Sequence, residues 1–246
     1  MKHESFISPF PHIEIENIIT NEENEYLYSA ALDALAPYEE DLKNYKYWVL
    51  ESDKHKIDEI GLDNLTSGKN KYLVQNNNGV HLEGEKYIGL QGKIIDRLEK
   101  IQEENLDNFP ILFRPNTGKK LEWSVNLCIS NNVHTLYPHS DDIYNIGNNM
   151  GYDNKKIIES LELPRYKGIL YVGDLDLDYT DYGTRFYAEE ERKNFSDPFS
   201  GFEEIKEVKC IPRNAHFFKT QPNSYHGTDF KNGFQHQRIF GTISYY

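Results

Sequence analysis

Leu121-Glu122-Trp123-Ser124-Val125-Asn126-Leu127-Cys128-Ile129 carries Leu121, Trp123, Val125, Leu127 and Ile129 at every second position. In an extended chain successive side chains point to opposite faces, so this period of two marks a strand with one face on a core. Further apolar stretches follow at Gly168–Val172, Thr184–Ala188, Ile205–Ile211, Ala215–Phe218 and Arg238–Tyr245. Gly, Pro, Asn and Asp clusters punctuate them, the pattern of a sandwich or barrel of antiparallel strands.

Working toward the N-terminus, helical periodicity replaces the β pattern. Leu90, Ile94, Ile95, Leu98 and Ile101 form one stripe of an amphipathic helix. Earlier still, Thr20 and Glu23 have the spacing of a capping box, and Leu27, Ala31 and Leu35 recur at helical spacing until Pro37. Ahead of that helix, alternation from Ile13 to Ile18 predicts another strand. Residues 41 to about 85 are polar, with a turn at Asn76-Asn77-Asn78-Gly79, and yield no element. The segment Asp142 to Pro164 reads as an insertion, with Gly147–Gly151 a loop and Lys155–Leu163 a short helix. With no repeat or linker, the expectation is one domain over 1–246, with helical support over about 1–110 and a β core over about 111–246.

A chain of 246 residues is long enough to bury a substantial core. Its net charge of −13 supplies no basic footprint for a phosphate backbone, so no nucleic-acid partner is expected. No apolar run approaches the roughly 18 residues that cross a bilayer, so no membrane partner is expected either. Two cysteines, Cys128 and Cys210, make no disulfide framework, and Met1 to Phe10 lacks the form of a leader, which together predict a cytoplasmic protein.

The chemistry centres on His139-Ser140-Asp141. Residues two apart on a strand share a face, so an imidazole and a carboxylate there can meet one ion. The spacing alone is weak: His12-Ile13-Glu14 and His81-Leu82-Glu83 repeat it without any accompanying pattern. What sharpens it is His226, 226 − 141 = 85 residues on, in Ser224-Tyr225-His226-Gly227 after the strand Ala215–Phe218. Two histidines and one carboxylate make a facial triad that leaves the opposite positions of a metal open. Arg238 follows 238 − 226 = 12 residues later at the start of the last strand. Its planar, permanently charged guanidinium grips a carboxylate with two parallel hydrogen bonds.

Pro138-His139-Ser140-Asp141, Ser224-Tyr225-His226-Gly227 and Arg238 together resemble the iron(II)- and 2-oxoglutarate-dependent oxygenases, most closely the branch of prolyl hydroxylases and similar bacterial or phage enzymes. Gly183-Thr184-Arg185-Phe186-Tyr187 is similar to that family's glycine-led strand between its ligand motifs, and Pro9-Phe10-Pro11-His12-Ile13 to its first strand. The resemblance runs from one terminus to the other, leaving 41 to about 85 unmatched. It implies a mainly β fold with flanking helices, a double-stranded β-helix of jelly-roll or cupin-like form. It also implies Fe(II) on His139, Asp141 and His226, 2-oxoglutarate on Arg238, and a co-substrate tyrosine at Tyr171. Dioxygen is then a reactant, and the substrate a peptide or an amino-acid-like small molecule. The halogenating branch replaces the metal carboxylate with a small residue, so the presence of Asp141 implies hydroxylation.

Alternatives stay open at this level. A cupin-like metal module without catalysis, or a zinc hydrolase, also uses such ligands. Arg185 or Arg213 is an alternative carboxylate clamp. His134, His216 and His236 lie near the motifs as structural or pocket-lining residues, and Asp142, Tyr144, Arg185 and Tyr187 flank the expected metal mouth. Asp174, Asp176, Asp178 and Asp181 lack the glycine and terminal glutamate of a calcium loop, which predicts a solvated loop.

Overall fold

In the computed structural model, β11 (Arg238–Tyr245) is paired on both sides, to β4 (Trp123–Ser130) and to β6 (Tyr166–Val172). The structure describes residues 1–35, 47–50, 85–105, 123–130, 136–141, 166–190, 199–228 and 238–245. The sheet around β11 has seven strands in the order β1 (Lys2–Phe6), β2 (His12–Glu16), β9 (Ala215–Lys219), β6, β11, β4 and β3 (Tyr47–Leu50). A second sheet of four strands runs β5 (Leu136–His139), β10 (Tyr225–Thr228), β7 (Thr184–Glu189) and β8 (Phe202–Val208). Every pairing among the described residues is antiparallel, and the chain passes repeatedly from one sheet to the other, the path of a double-stranded β-helix.

The two faces of the large sheet differ because its strands alternate. Ile13, Ile15, Leu170, Val172, Ala215, Phe217, Ile239 and Ile243 share one buried cluster with Leu27 and Ala31 of helix α1 (Asn21–Leu35) and Leu90, Ile94, Leu98 and Ile101 of helix α2 (Glu85–Asn105). The intervening positions Ile169, Tyr171, Phe218 and Phe240 join a second cluster with Phe186 and Val208 of the small sheet. One face therefore rests on helices and the other looks into the space between the sheets.

Local chemistry explains why the helices sit where they do. Thr20 and Glu23 make the capping box reciprocally: the Glu23 amide donates to Thr20 Oγ1 at 3.2 Å, and the Thr20 amide donates to Glu23 Oε2 at 2.8 Å. Arg97 of α2 donates to both Glu23 oxygens, at 2.6 and 2.9 Å, and to the Ile18 carbonyl at 2.9 Å. The buried Asn24 amide side chain bonds the Gly173 backbone in both directions, at 2.7 and 3.2 Å, which ties α1 to the end of β6.

Several expected boundaries move. The strand read at Ile205–Ile211 lies at Phe202–Val208, because Ile211 to Asn214 forms a turn closed by an Asn214 to Ile211 backbone bond of 3.0 Å, with Pro212 unable to donate to a ladder. Strands β1, β3, β5 and β10 are additional, each of four or five residues. The loop expected at 147–151, the helix at Lys155–Leu163 and the turn at Asn76–Gly79 lie outside the described residues. No helix among the described residues is long and apolar enough to cross a membrane.

Candidate metal centre

His139 ends β5, and His226 is the second residue of β10. These strands pair with His139 opposite His226, so both rings leave the same face of the small sheet, with centroids 4.4 Å apart. Asp141 lies two residues past the end of β5, not on the strand as the spacing suggested. Ser140 is buried and the chain leaves the ladder there, so Asp141 reaches the histidines from a loop. Its carboxylate lies 3.3 Å from His226 Nε2 and 3.8 Å from His139 Nε2. Two ligands that each sit ~2 Å from one ion are at most ~4 Å apart, so both spacings suit a shared metal. Across the three residues the candidate ligand atoms all lie within 4.8 Å of one another.

Hydrogen bonds on the far side of each ring set which nitrogen is free. His139 Nδ1 lies 2.8 Å from the Tyr137 carbonyl and His226 Nδ1 lies 3.0 Å from the Ser224 carbonyl. A carbonyl oxygen only accepts, so Nδ1 carries the proton in both rings and each Nε2 lone pair faces Asp141. Burial and the neighbouring His226 lower His139 to about 4, so its ring is neutral near pH 7. Burial would raise the Asp141 carboxyl, but Lys167 and the two imidazoles outweigh it and hold the group well below its ordinary value. A neutral His139 imidazole and an ionised Asp141 carboxylate are the protonation states that metal binding requires of those ligands.

Lys167, an inward residue of β6, places Nζ 2.9 Å from Asp141 Oδ2. It joins the cluster around Asp141, and sequence reading passed over it. The available signal was its period-two relation to Ile169 and Tyr171, which puts all three on one face.

Arg238 sits at the other end of the same interior space. It is 4% exposed, donates from an Nη to Thr184 Oγ1 at 3.2 Å, and leaves Nε without a partner. Its guanidinium carbon lies 4.7 Å from the Phe240 ring centroid and 5.5 Å from that of Tyr171. Among the described residues no carboxylate pairs with it. The acidic groups nearest to it are held neutral: burial pushes the Cys210 thiol up to about 12 and raises the Tyr171 phenol well above its ordinary value. Tyr171 is wholly buried, its hydroxyl 2.8 Å from Thr184 Oγ1 and 3.1 Å from the Thr184 amide that donates to it. Thr184 thus joins Tyr171 to Arg238, a link absent from the sequence reading. A buried cation without a counter-charge is strongly unfavourable, so this end of the interior suits an anionic ligand.

Gly183 lets this corner close, because a Cβ there would strike the Val208 carbonyl and fall 3.0 Å from Glu207 Oε1. Among the other residues singled out, Arg185 takes the opposite face of β7 from Thr184 and Phe186. There it pairs with Glu204 at 3.0 Å and lies 3.9 Å from Glu207, so it is already neutralised away from the metal. Tyr187 shares that outward face and packs against Phe199 and Phe202, so neither lines the metal mouth. Arg213 belongs to the turn between β8 and β9, at φ 74°. His134, His236, Asp142 and Tyr144 lie outside the described residues, and the side chain of Cys128 is likewise undescribed. Asp176 and Asp178 are exposed on a loop in which Asp174 accepts from the Asp176 amide at 2.9 Å, and Asp181 is exposed in the short 3-10 helix Thr180–Tyr182 that follows.

No family model matches the chain, and no curated protein matches it. Solved structures do. A prolyl-4-hydroxylase from Pseudomonas putida is 8% identical, with 95% of this chain and 91% of that one covered and a TM-score of 0.45. HygX from Streptomyces hygroscopicus, solved with nickel and 2-oxoglutarate bound, is 14% identical over 95% of this chain and 81% of that one, at a TM-score of 0.47. SnoN, a non-heme alpha-ketoglutarate-dependent epimerase from nogalamycin biosynthesis, is 10% identical over 96% and 77%, at 0.43.

Proposed function

We propose that this chain is an Fe(II)- and 2-oxoglutarate-dependent dioxygenase of prolyl-hydroxylase-like type. In this reading His139, Asp141 and His226 hold the metal, while Arg238, with Thr184 and Tyr171 beside it, holds the far carboxylate of the co-substrate. When bound, iron(II) supplies the oxygen chemistry that couples decarboxylation of 2-oxoglutarate to succinate with hydroxylation of an unactivated C–H bond. The observation that carries the reading is the pairing of an open three-ligand set with a buried, uncompensated Arg238 between the same two sheets. A structural metal site is normally closed by four ligands, whereas three leave positions for a chelating acid and dioxygen.

The chain's own contributions follow from the geometry. The carbonyls of Tyr137 and Ser224 fix the two imidazole tautomers, and Lys167 neutralises and orients the Asp141 carboxylate. Arg238 orients the acid by a two-point grip, and the aromatic interior of Phe186, Phe218 and Phe240 keeps water from the bound reactants. The substrate of this reading is a peptide side chain or an amino-acid-like small molecule in the cytoplasm. Succinate release from 2-oxoglutarate, dependent on iron and dioxygen, tests the proposal: the wild type should release it and Asp141→Ala should not. Equal release from both removes it, and restoration of activity by zinc without dioxygen would point to hydrolysis.

A further inference from the structure

The interior face of β6 is a ruler between the two ends of the site. Lys167, Ile169 and Tyr171 follow one another along it, with Lys167 bonded to Asp141 and Tyr171 sharing Thr184 with Arg238. Four residues of strand separate the ends by roughly 13 Å. β9 lies beside β6 with His216 directly opposite Ile169, at the midpoint. The His216 ring points inward: its centroid is 5.6 Å from those of Tyr171 and Phe186 and stacks on Phe218 at 6.2 Å, while Phe218 in turn lies 4.5 Å from His226.

His216 is fully buried, and neither ring nitrogen has a hydrogen-bond partner. The three other inward histidines among the described residues differ. His12, His139 and His226 each bond the carbonyl two residues earlier through Nδ1, at 2.9, 2.8 and 3.0 Å. A buried imidazole N–H without an acceptor is destabilising, and such groups in folded proteins ordinarily have a purpose. A stacked aromatic alone would be served as well by phenylalanine, which already fills positions 186 and 218.

We propose that His216 is a third anchor for the keto acid, donating one ring N–H to the carboxylate oxygen nearest the metal while Arg238 holds the other end. This rests on the oxygenase reading above and adds to it a determinant of co-substrate selection. The neutral ring offers a single donor without a further positive charge, and the flanking rings fix its orientation. Charged and titratable groups facing it are His12 from β2, Lys206 from β8, His226 from β10 and Arg238 from β11.

The test is calorimetric titration of the Mn(II)-loaded full chain with 2-oxoglutarate, in wild type, His216→Leu, His216→Gln and Arg238→Met. We expect His216→Leu to weaken binding about tenfold, the share of one buried hydrogen bond, and His216→Gln, which keeps a donor, to recover most of it. Affinity for Mn(II) itself should be the same in the wild type and both His216 variants. Wild-type affinity in His216→Leu, alongside weakened binding in Arg238→Met, overturns the role of His216 and leaves the oxygenase reading intact. No binding to the wild type, or no loss in Arg238→Met, overturns that reading and the proposal with it. If both His216 variants fail to fold, the imidazole 15N resonances of His216 in the Zn(II)-loaded wild type decide. A shift on adding 2-oxoglutarate supports the contact, and unchanged resonances overturn it.

Discussion

The two faces of the seven-stranded sheet are built from the same strands and differ in almost every other respect. Leu170 and Val172 of β6 face the helices among Ile13, Ile15, Phe217, Ile239 and Ile243. Lys167 and Tyr171 of the same strand face the interior with His216 and Arg238. The helix-side face contributes burial, at about 25 cal/mol per Å² of apolar surface. The interior face holds charged and polar groups whose burial opposes folding unless a ligand or a neighbour compensates them. Stability and chemistry are thus divided between alternate residues of one strand, and substitutions on the two faces should separate them.

Asp141→Ala should have the largest effect on the interior face. Losing a direct ligand should weaken metal binding by at least ~100-fold, beyond the 10–100-fold typical of an outer-shell partner. Equilibrium dialysis reads the affinity, and the metal-free protein should stay folded while losing some stability in thermal unfolding, because Lys167 loses its 2.9 Å partner. On the other face, Leu170→Ala should destabilise the protein by about 2–5 kcal/mol through lost contacts and a residual cavity. Denaturant unfolding measures that loss, and metal affinity per folded molecule should stay as in the wild type. A triad variant that unfolded the protein, or a Leu170 variant that selectively lost metal, would break the division.

Arg238→Met sharpens the contrast further, since it should lower affinity for 2-oxoglutarate by about 10- to 150-fold, the worth of a charge-assisted bond. The same change removes a buried charge that lacks a counter-ion, so unliganded stability should hold or rise. Titration calorimetry and thermal unfolding of one sample read both quantities.

The smallest expected effect is in pH dependence. Burial, and then the nearby His12 and Arg238, keep His216 far below the ordinary histidine value. The unfolded chain takes up that proton near pH 6.5 and the folded chain does not, so stability falls as the pH drops below about 6.5. His139, lowered to about 4, adds a loss of the same sign between about 6.5 and 4 in the metal-free protein. His216→Leu should remove the first contribution and leave the second, giving a shallower decline in unfolding free energy between pH 6.5 and 5. An unchanged slope would mean that His216 is protonated alike in both states.

Sequence alone carried the β alternation, both helices, the Thr20 and Glu23 cap, and the order of His139, Asp141, His226 and Arg238. Those features are local or depend only on distance along the chain. Cross-strand register is neither, which is why Lys167 and the partners of Thr184 and His216 escaped: each acquires its surroundings from a residue on another strand. Short strands were lost for a related reason. Lys2–Phe6 is an edge strand with a single aromatic residue, and its membership follows from pairing with β2 rather than from its composition. Arg185 illustrates the opposite error. Its place in the sequence puts it at the flank of the metal mouth, but the pleat turns it to the outer face and to Glu204.

The most direct test is a crystal structure of the full chain grown without oxygen with Mn(II) and 2-oxoglutarate, with the metal located by anomalous scattering. One ion held by His139, Asp141 and His226, with the chelating acid extending to Arg238, is the predicted result. An ion bound at other side chains, or a triad closed by a fourth protein ligand, would contradict the account.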